Sequence, residues 1–126
     1  MNGFLLVALG GAIGSVLRHA ASLAFARYLP SFETAGTLFV NVFGSAVLGF
    51  FMGWLITQDT PRSLLFIFFA TGVAGGFTTF STFSRETIHM VLNGPPFNAA
   101  AYVIVSVIGS LGAYFIALTI ARRAFA

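Results

Sequence analysis

Gly75-Gly76-Phe77-Thr78-Thr79-Phe80-Ser81-Thr82-Phe83-Ser84 sets two glycines and a ladder of hydroxyls and phenyl rings inside an apolar segment. The run before it, Leu64 to Val73, is nearly all hydrocarbon, and five hydroxyls follow within the seven residues from Thr78 to Ser84. Backbone that leaves helical geometry at membrane depth persists only where it is buried in protein or lines a cavity. The stretch therefore predicts a membrane protein with an internal polar pathway.

Composition agrees. The 126 residues are 58% hydrophobic and 7% charged, against about 25% charged in soluble domains. Lysine is absent, and six arginines against three acids give a net charge of +3. Apart from Arg122-Arg123 the arginines stand singly, so the clustered basic face of a nucleic-acid binder is missing. With no cysteine there is no disulfide framework, thiolate metal site or cysteine nucleophile. Ala24-Phe25-Ala26 fits a cleavage pattern, but Met1-Asn2-Gly3 lacks a positive start and Arg18 interrupts the apolar run. The first segment is expected to stay as a membrane helix.

A spanning helix needs about 20 mostly apolar residues. Four segments meet that demand, roughly Phe4 to Ala26, Ala35 to Ile56, Arg62 to Leu92 and Asn98 to Ala121. They predict one four-helix transmembrane domain over residues 1–126. Thr60 before Pro61 reads as a cap for the third helix. At about 1.5 Å per residue the third segment overshoots a hydrocarbon core of about 30 Å. Either its second half, with Arg85 and Glu86, enters a wet vestibule, or the helix is interrupted at the Gly-Thr run, or both. Gly10 with Gly14, Gly49 with Gly53 and Gly72 with Gly76 lie at the spacing that lets membrane helices pack closely.

An even number of spans puts both ends on one side. Arg62, Arg122 and Arg123 then face Arg18, Arg27 and Arg85 on the other, and the positive-inside rule expresses no preference. A chain without a preference can insert both ways and pair with its inverted copy. An antiparallel homodimer is the expectation.

Helical spacing gathers the remaining polar residues into rows. Thr37, Asn41 and Ser45 share a face of the second segment, and Ser106, Ser110 and Tyr114 share one of the fourth. Phe80 and Phe83 lie three apart on the third, beside Ser81 and Ser84. Hydroxyl and amide donors with ring edges favour an anion, whereas a cation path would use carboxylates or carbonyl rings. Any single serine can instead bond back to its own helix. Arg18 and Glu86 are costly in a membrane and can serve either structural pairing or an aqueous cavity.

These residues resemble the Fluc family of small fluoride channels, also called CrcB proteins. The resemblance lies in Gly10-Gly11-Ala12-Ile13-Gly14-Ser15-Val16-Leu17-Arg18, in Gly36-Thr37-Leu38-Phe39-Val40-Asn41-Val42-Phe43-Gly44, and in Gly72 through Glu86. It implies a passive fluoride channel rather than an enzyme, in a bacterial inner membrane, as a dual-topology antiparallel homodimer with two pores and no nucleic-acid partner. Phe80 and Phe83 would form an aromatic box, with Asn41 pointing its amide into the path. Ser81 and Thr82 with Tyr114 would form a polar track, with Ser110 on the pore side. A structural sodium ion would be held by backbone carbonyls of Gly75 and Thr78 from each subunit, oxygen ligands that suit a hard cation.

Two rivals explain less. A small multidrug-resistance-like transporter would need a membrane-embedded carboxylate, and the first segment has none. A tetraspan scaffold accounts for the glycines but leaves the hydroxyl and aromatic rows without a task.

Overall fold

The structure, a computed structural model, describes residues 3–58 and 63–126. It is helical wherever it is regular. α1 covers Gly3–Tyr28 and α2 Ala35–Ile56, joined by a turn in which Pro30 ends the first helix and Ala35 donates to the Phe32 carbonyl at 2.9 Å. A short α3, Ser63–Phe66, runs into a π-helix over Ile67–Ala74 and then α4, Gly75–Phe77. After two extended residues, α5 covers Phe80–Asn93 and α6 Pro96–Phe125. The predicted Thr60–Pro61 cap lies outside the described residues.

Among the described residues, four stretches are long and apolar enough to cross a membrane: Gly3–Tyr28, Ala35–Ile56, Leu64–Asn93 and Pro96–Phe125. They match the four sequence segments, with α1 and α6 each extended by a few residues. α6 starts with Pro96 in its first turn, where a missing N–H costs nothing. The Gly94-Pro95 turn folds α6 back along α5.

Close backbone approach holds the bundle together. α1 lies against the π-helix and α4, and a Cβ on Gly10 would come within 2.5 Å of the Phe68 carbonyl oxygen. Gly76 is equally close to the carbonyl of Gly11. α2 packs along α6, with Gly49 against the backbone of Tyr114 and Gly53 against that of Leu118. The glycine spacing thus serves packing within one chain. In lipid, where tails are as apolar as leucine, such contact supplies much of the association between helices.

The third span carries both irregularities. In the π-helix the chain gains a residue per turn, and the Gly75 N–H reaches back five residues to the Ala70 carbonyl. The span then breaks at Thr78 (φ −83°, ψ 157°) and Thr79 (φ −151°, ψ 113°). Two glycines weaken the helix before the break, and two β-branched threonines favour extended backbone within it. Interruption at the Gly-Thr run is therefore present. The stretch after it opens onto a polar cleft lined by Glu33, Arg85, Glu86 and His89, so the span is both broken and flanked by a charged vestibule.

Candidate functional site

The break is held by a side chain from another helix. Asn41 Oδ1 on α2 accepts from the Thr79 N–H at 2.8 Å, and Asn41 Nδ2 donates to the Thr79 carbonyl at 3.1 Å. Thr79, buried at 8% exposure, also caps α5. Its Oγ1 accepts from the Thr82 N–H at 3.2 Å and lies 3.1 Å from Thr82 Oγ1 and 3.2 Å from Ser81 Oγ. Ser81 and Thr82, expected in a polar track, thus cluster about this cap. Thr78 sends both its N–H and its hydroxyl to the Ala74 carbonyl, at 3.0 Å and 2.9 Å. Gly44 makes room, since a Cβ there would meet Thr78 Cγ2 at 2.6 Å.

Beside the break, α2, α5 and α6 enclose a cleft of about 330 Å³. Asn41 and Ser45 line it from α2, Phe80 and Phe83 from α5, and Ser106 and Ser110 from α6, with Thr78 and Thr79 at the break. Two members of each row therefore meet in one place, while Thr37, Ser81, Ser84 and Tyr114 lie outside this lining. None of the lining side chains is charged. The Phe80 and Phe83 rings lie 5.5 Å apart, tilted by 42°, and Phe80 is 79% exposed.

Hydrogen bonding separates two kinds of hydroxyl. Ser22, Ser84, Thr87 and Thr119 each bond the carbonyl four residues back, at 2.8–3.0 Å. Ser45, Ser106 and Ser110, which face the cleft, have no hydrogen-bond partner among the described residues. Ser106 is the sharpest case, because its hydroxyl oxygen is buried with no hydrogen bond of ordinary geometry, beside the Tyr102 hydroxyl. Asn41 keeps one of its two amide hydrogens after bonding Thr79.

At one end of the cleft stands a residue outside the rows read from the sequence. Tyr102 packs its ring 5.4 Å from Phe83 and donates its hydroxyl to Glu86 Oε2 at 2.7 Å. Thr37 donates to Glu86 Oε1 at 2.8 Å, and Arg85 approaches the same oxygen at 4.0 Å. Glu86 is thus fixed by two hydroxyls. Tyr114 lies two helical turns beyond Ser106, with its backbone against Gly49 and outside the residues lining the cleft. Tyr102, Ser106, Ser110 and Tyr114 form a single row, so either tyrosine fits the spacing. The α5–α6 hairpin brings Tyr102 to Glu86.

Arg18 occupies a second polar cleft, shared with Ser15, Ser22, Thr37, Thr79 and Thr82. Its Nε is buried without a hydrogen-bond partner, and it makes no ion pair with Glu86 among the described residues. Arg18 and Glu86 are therefore not paired, although Thr37 borders both.

Comparison with known proteins places this arrangement. Residues 5–118 match the family described as CrcB-like protein, Camphor Resistance (CrcB). A relative from Hyphomonas neptunium, named fluoride-specific ion channel FluC, is 50% identical over 100% of both chains. Relatives bearing the same name from Nitrobacter winogradskyi and Rhizobium meliloti are each 42% identical. The first alignment covers 94% of each chain, the second 97% of this chain and 98% of the relative. With matches of this length and a helical bundle of four candidate spans, the chain is a multi-pass membrane protein of the CrcB-like family.

Proposed function

We propose that this protein is a fluoride-selective channel, and that fluoride moves along the cleft bounded by Asn41, Phe80, Phe83, Ser106 and Ser110. One observation carries the reading: the cleft serines Ser45, Ser106 and Ser110 do not bond back to their own helices, whereas Ser84, Thr87 and Thr119 each bond the carbonyl four residues back. A small anion that gives up strongly held water needs several close donors. The free Asn41 N–H and three serine hydroxyls supply them, and the positive ring edges of Phe80 and Phe83 add a weak field. Neutral donors bind without trapping, which conduction requires. The names of the relatives point to the same ion.

The α6 row continues from Ser110 and Ser106 to Tyr102, which joins the path to Glu86 and the vestibule. Flow is passive, down the ion's own gradient, and exports fluoride across a bacterial inner membrane. The working unit is an antiparallel homodimer with two pores. The arginine tie supports this, as does a cleft whose aromatic wall is open at Phe80.

A structural sodium ion at the dimer centre fits the donor chemistry at the break. In a continuous helix the Gly75 carbonyl would accept from Thr79 N–H and the Thr78 carbonyl from Thr82 N–H. Here Asn41 takes the first donor and Thr79 Oγ1 the second. Both carbonyls lose their helical donors, and neutral oxygens of this kind suit a hard cation. Bound there, the ion would supply positive charge that ties the breaks of two subunits together.

Efflux from liposomes tests the reading. Vesicles carrying the purified protein should release fluoride well above empty vesicles and retain chloride; fluoride release at the empty-vesicle level would overturn it.

A further inference from the structure

We propose that Asn41 is a positioning residue for the cation ligands Gly75 and Thr78, in addition to facing the anion path. The inference rests on the sodium reading above and deepens it.

One hydrogen bond acts on both ligands. Asn41 Oδ1 accepts the Thr79 N–H at 2.8 Å. That N–H is the group a continuous helix would send to the Gly75 carbonyl, so the bond leaves Gly75 oxygen available. The same N–H belongs to the peptide unit that carries the Thr78 carbonyl. A trans peptide is planar, with its C=O and N–H pointing in opposite directions. Fixing the Thr79 N–H on Asn41 therefore aims the Thr78 oxygen away from α2. One side-chain acceptor releases one ligand and orients the other.

The remaining contacts make the clamp rigid. Asn41 Nδ2 holds the following peptide through the Thr79 carbonyl at 3.1 Å, so two successive peptide planes are tied to one amide. The amide cannot flip without exchanging both partners for mismatched ones, since its oxygen faces a donor and its nitrogen an acceptor. Gly44, one turn further along α2, leaves room for the Thr78 side chain and seats the break against this helix. Direct donation to the anion uses the amide hydrogen not engaged by Thr79, so the two tasks of Asn41 use different atoms.

The full-length protein, purified in detergent, provides the test through thermal melting across a sodium chloride series, with choline chloride holding ionic strength constant. The wild type should gain melting temperature with sodium along a saturating curve, and its midpoint is the readout. Asn41→Leu keeps the bulk but removes the acceptor, and its midpoint should rise about tenfold or more, as expected for losing a buried hydrogen bond that orients a ligand. Asn41→Asp keeps an acceptor for the Thr79 N–H and should hold a midpoint at or below the wild-type value. Ser110→Ala, altered in the cleft but not at the clamp, should also keep it. An equal drop in melting temperature in both salts with an unchanged midpoint for Asn41→Leu would overturn the inference while leaving the cation site in place. A wild type indifferent to sodium would overturn the cation site and the inference with it. If Asn41→Leu does not fold, Asn41→Ala, which also removes the acceptor, takes its place, and an unchanged midpoint there would refute the positioning role.

Discussion

Tyr102 donates its hydroxyl to Glu86 Oε2 at 2.7 Å across the α5–α6 hairpin, and Thr37 engages the other carboxyl oxygen at 2.8 Å. The Glu86 side chain is only 13% exposed, so solvent replaces a lost partner poorly. Hydrogen bonds to charged groups contribute about 1.5–3 kcal/mol. Tyr102→Phe should therefore lower the melting temperature of the purified protein, and more so than Tyr114→Phe. Equal melting of the two variants would show that the Tyr102 contact contributes nothing particular.

Thr79 stands at the start of α5 with its hydroxyl bonded to Thr82 N–H. Replacing a capping hydroxyl by an apolar group costs about 1 kcal/mol. Thr79→Val should lower thermal stability by an amount of that order, and Thr79→Ser should restore most of it. Failure of serine to rescue would place the importance of this position in its shape rather than its cap.

The glycines differ sharply in what surrounds them. A Cβ on Gly10 would lie 2.5 Å from the Phe68 carbonyl oxygen, whereas one on Gly112 meets nothing within 4 Å. Gly10→Ala should destabilise by about 1–3 kcal/mol, as overpacking does. Gly112→Ala should be neutral or gain up to about 1 kcal/mol from reduced chain entropy. Comparing melting of the two variants checks the α1–π-helix contact directly.

The tied arginine count predicts that copies insert in both orientations. Cysteine introduced at either end of the chain, probed in intact cells with a membrane-impermeant reagent, should label about half of the copies. Labelling that reports one side for every copy would remove the antiparallel dimer.

Much of this architecture was legible in the residues. α2 spans Ala35–Ile56 as read from hydropathy, and the break falls where glycines and hydroxyls interrupt the hydrocarbon run. The π-helix was not legible: Ile67 to Ala74 is apolar and neutral in pattern, and its widened turns lie where α1 backbone presses on Gly72. The row containing Asn41 was visible, but its partner Thr79 lies 38 residues away and only folding joins them. Tyr102 shares the period-four row of Tyr114, and its bond to Glu86 across the α5–α6 hairpin appears only in the fold.

Phe83 joins the cleft to its aromatic neighbours, 5.5 Å from Phe80 and 5.4 Å from Tyr102. Aromatic ring interactions of this kind contribute about 0.5–1.5 kcal/mol, which corresponds to about a two- to tenfold change in rate when lost from a barrier. Fluoride efflux from liposomes should be measured side by side for the wild type and Phe83→Ile, with gel filtration confirming the same oligomer. The account predicts fluoride release by the wild type and a loss of at least that size in the variant. Undiminished fluoride release by Phe83→Ile would contradict passage along this cleft.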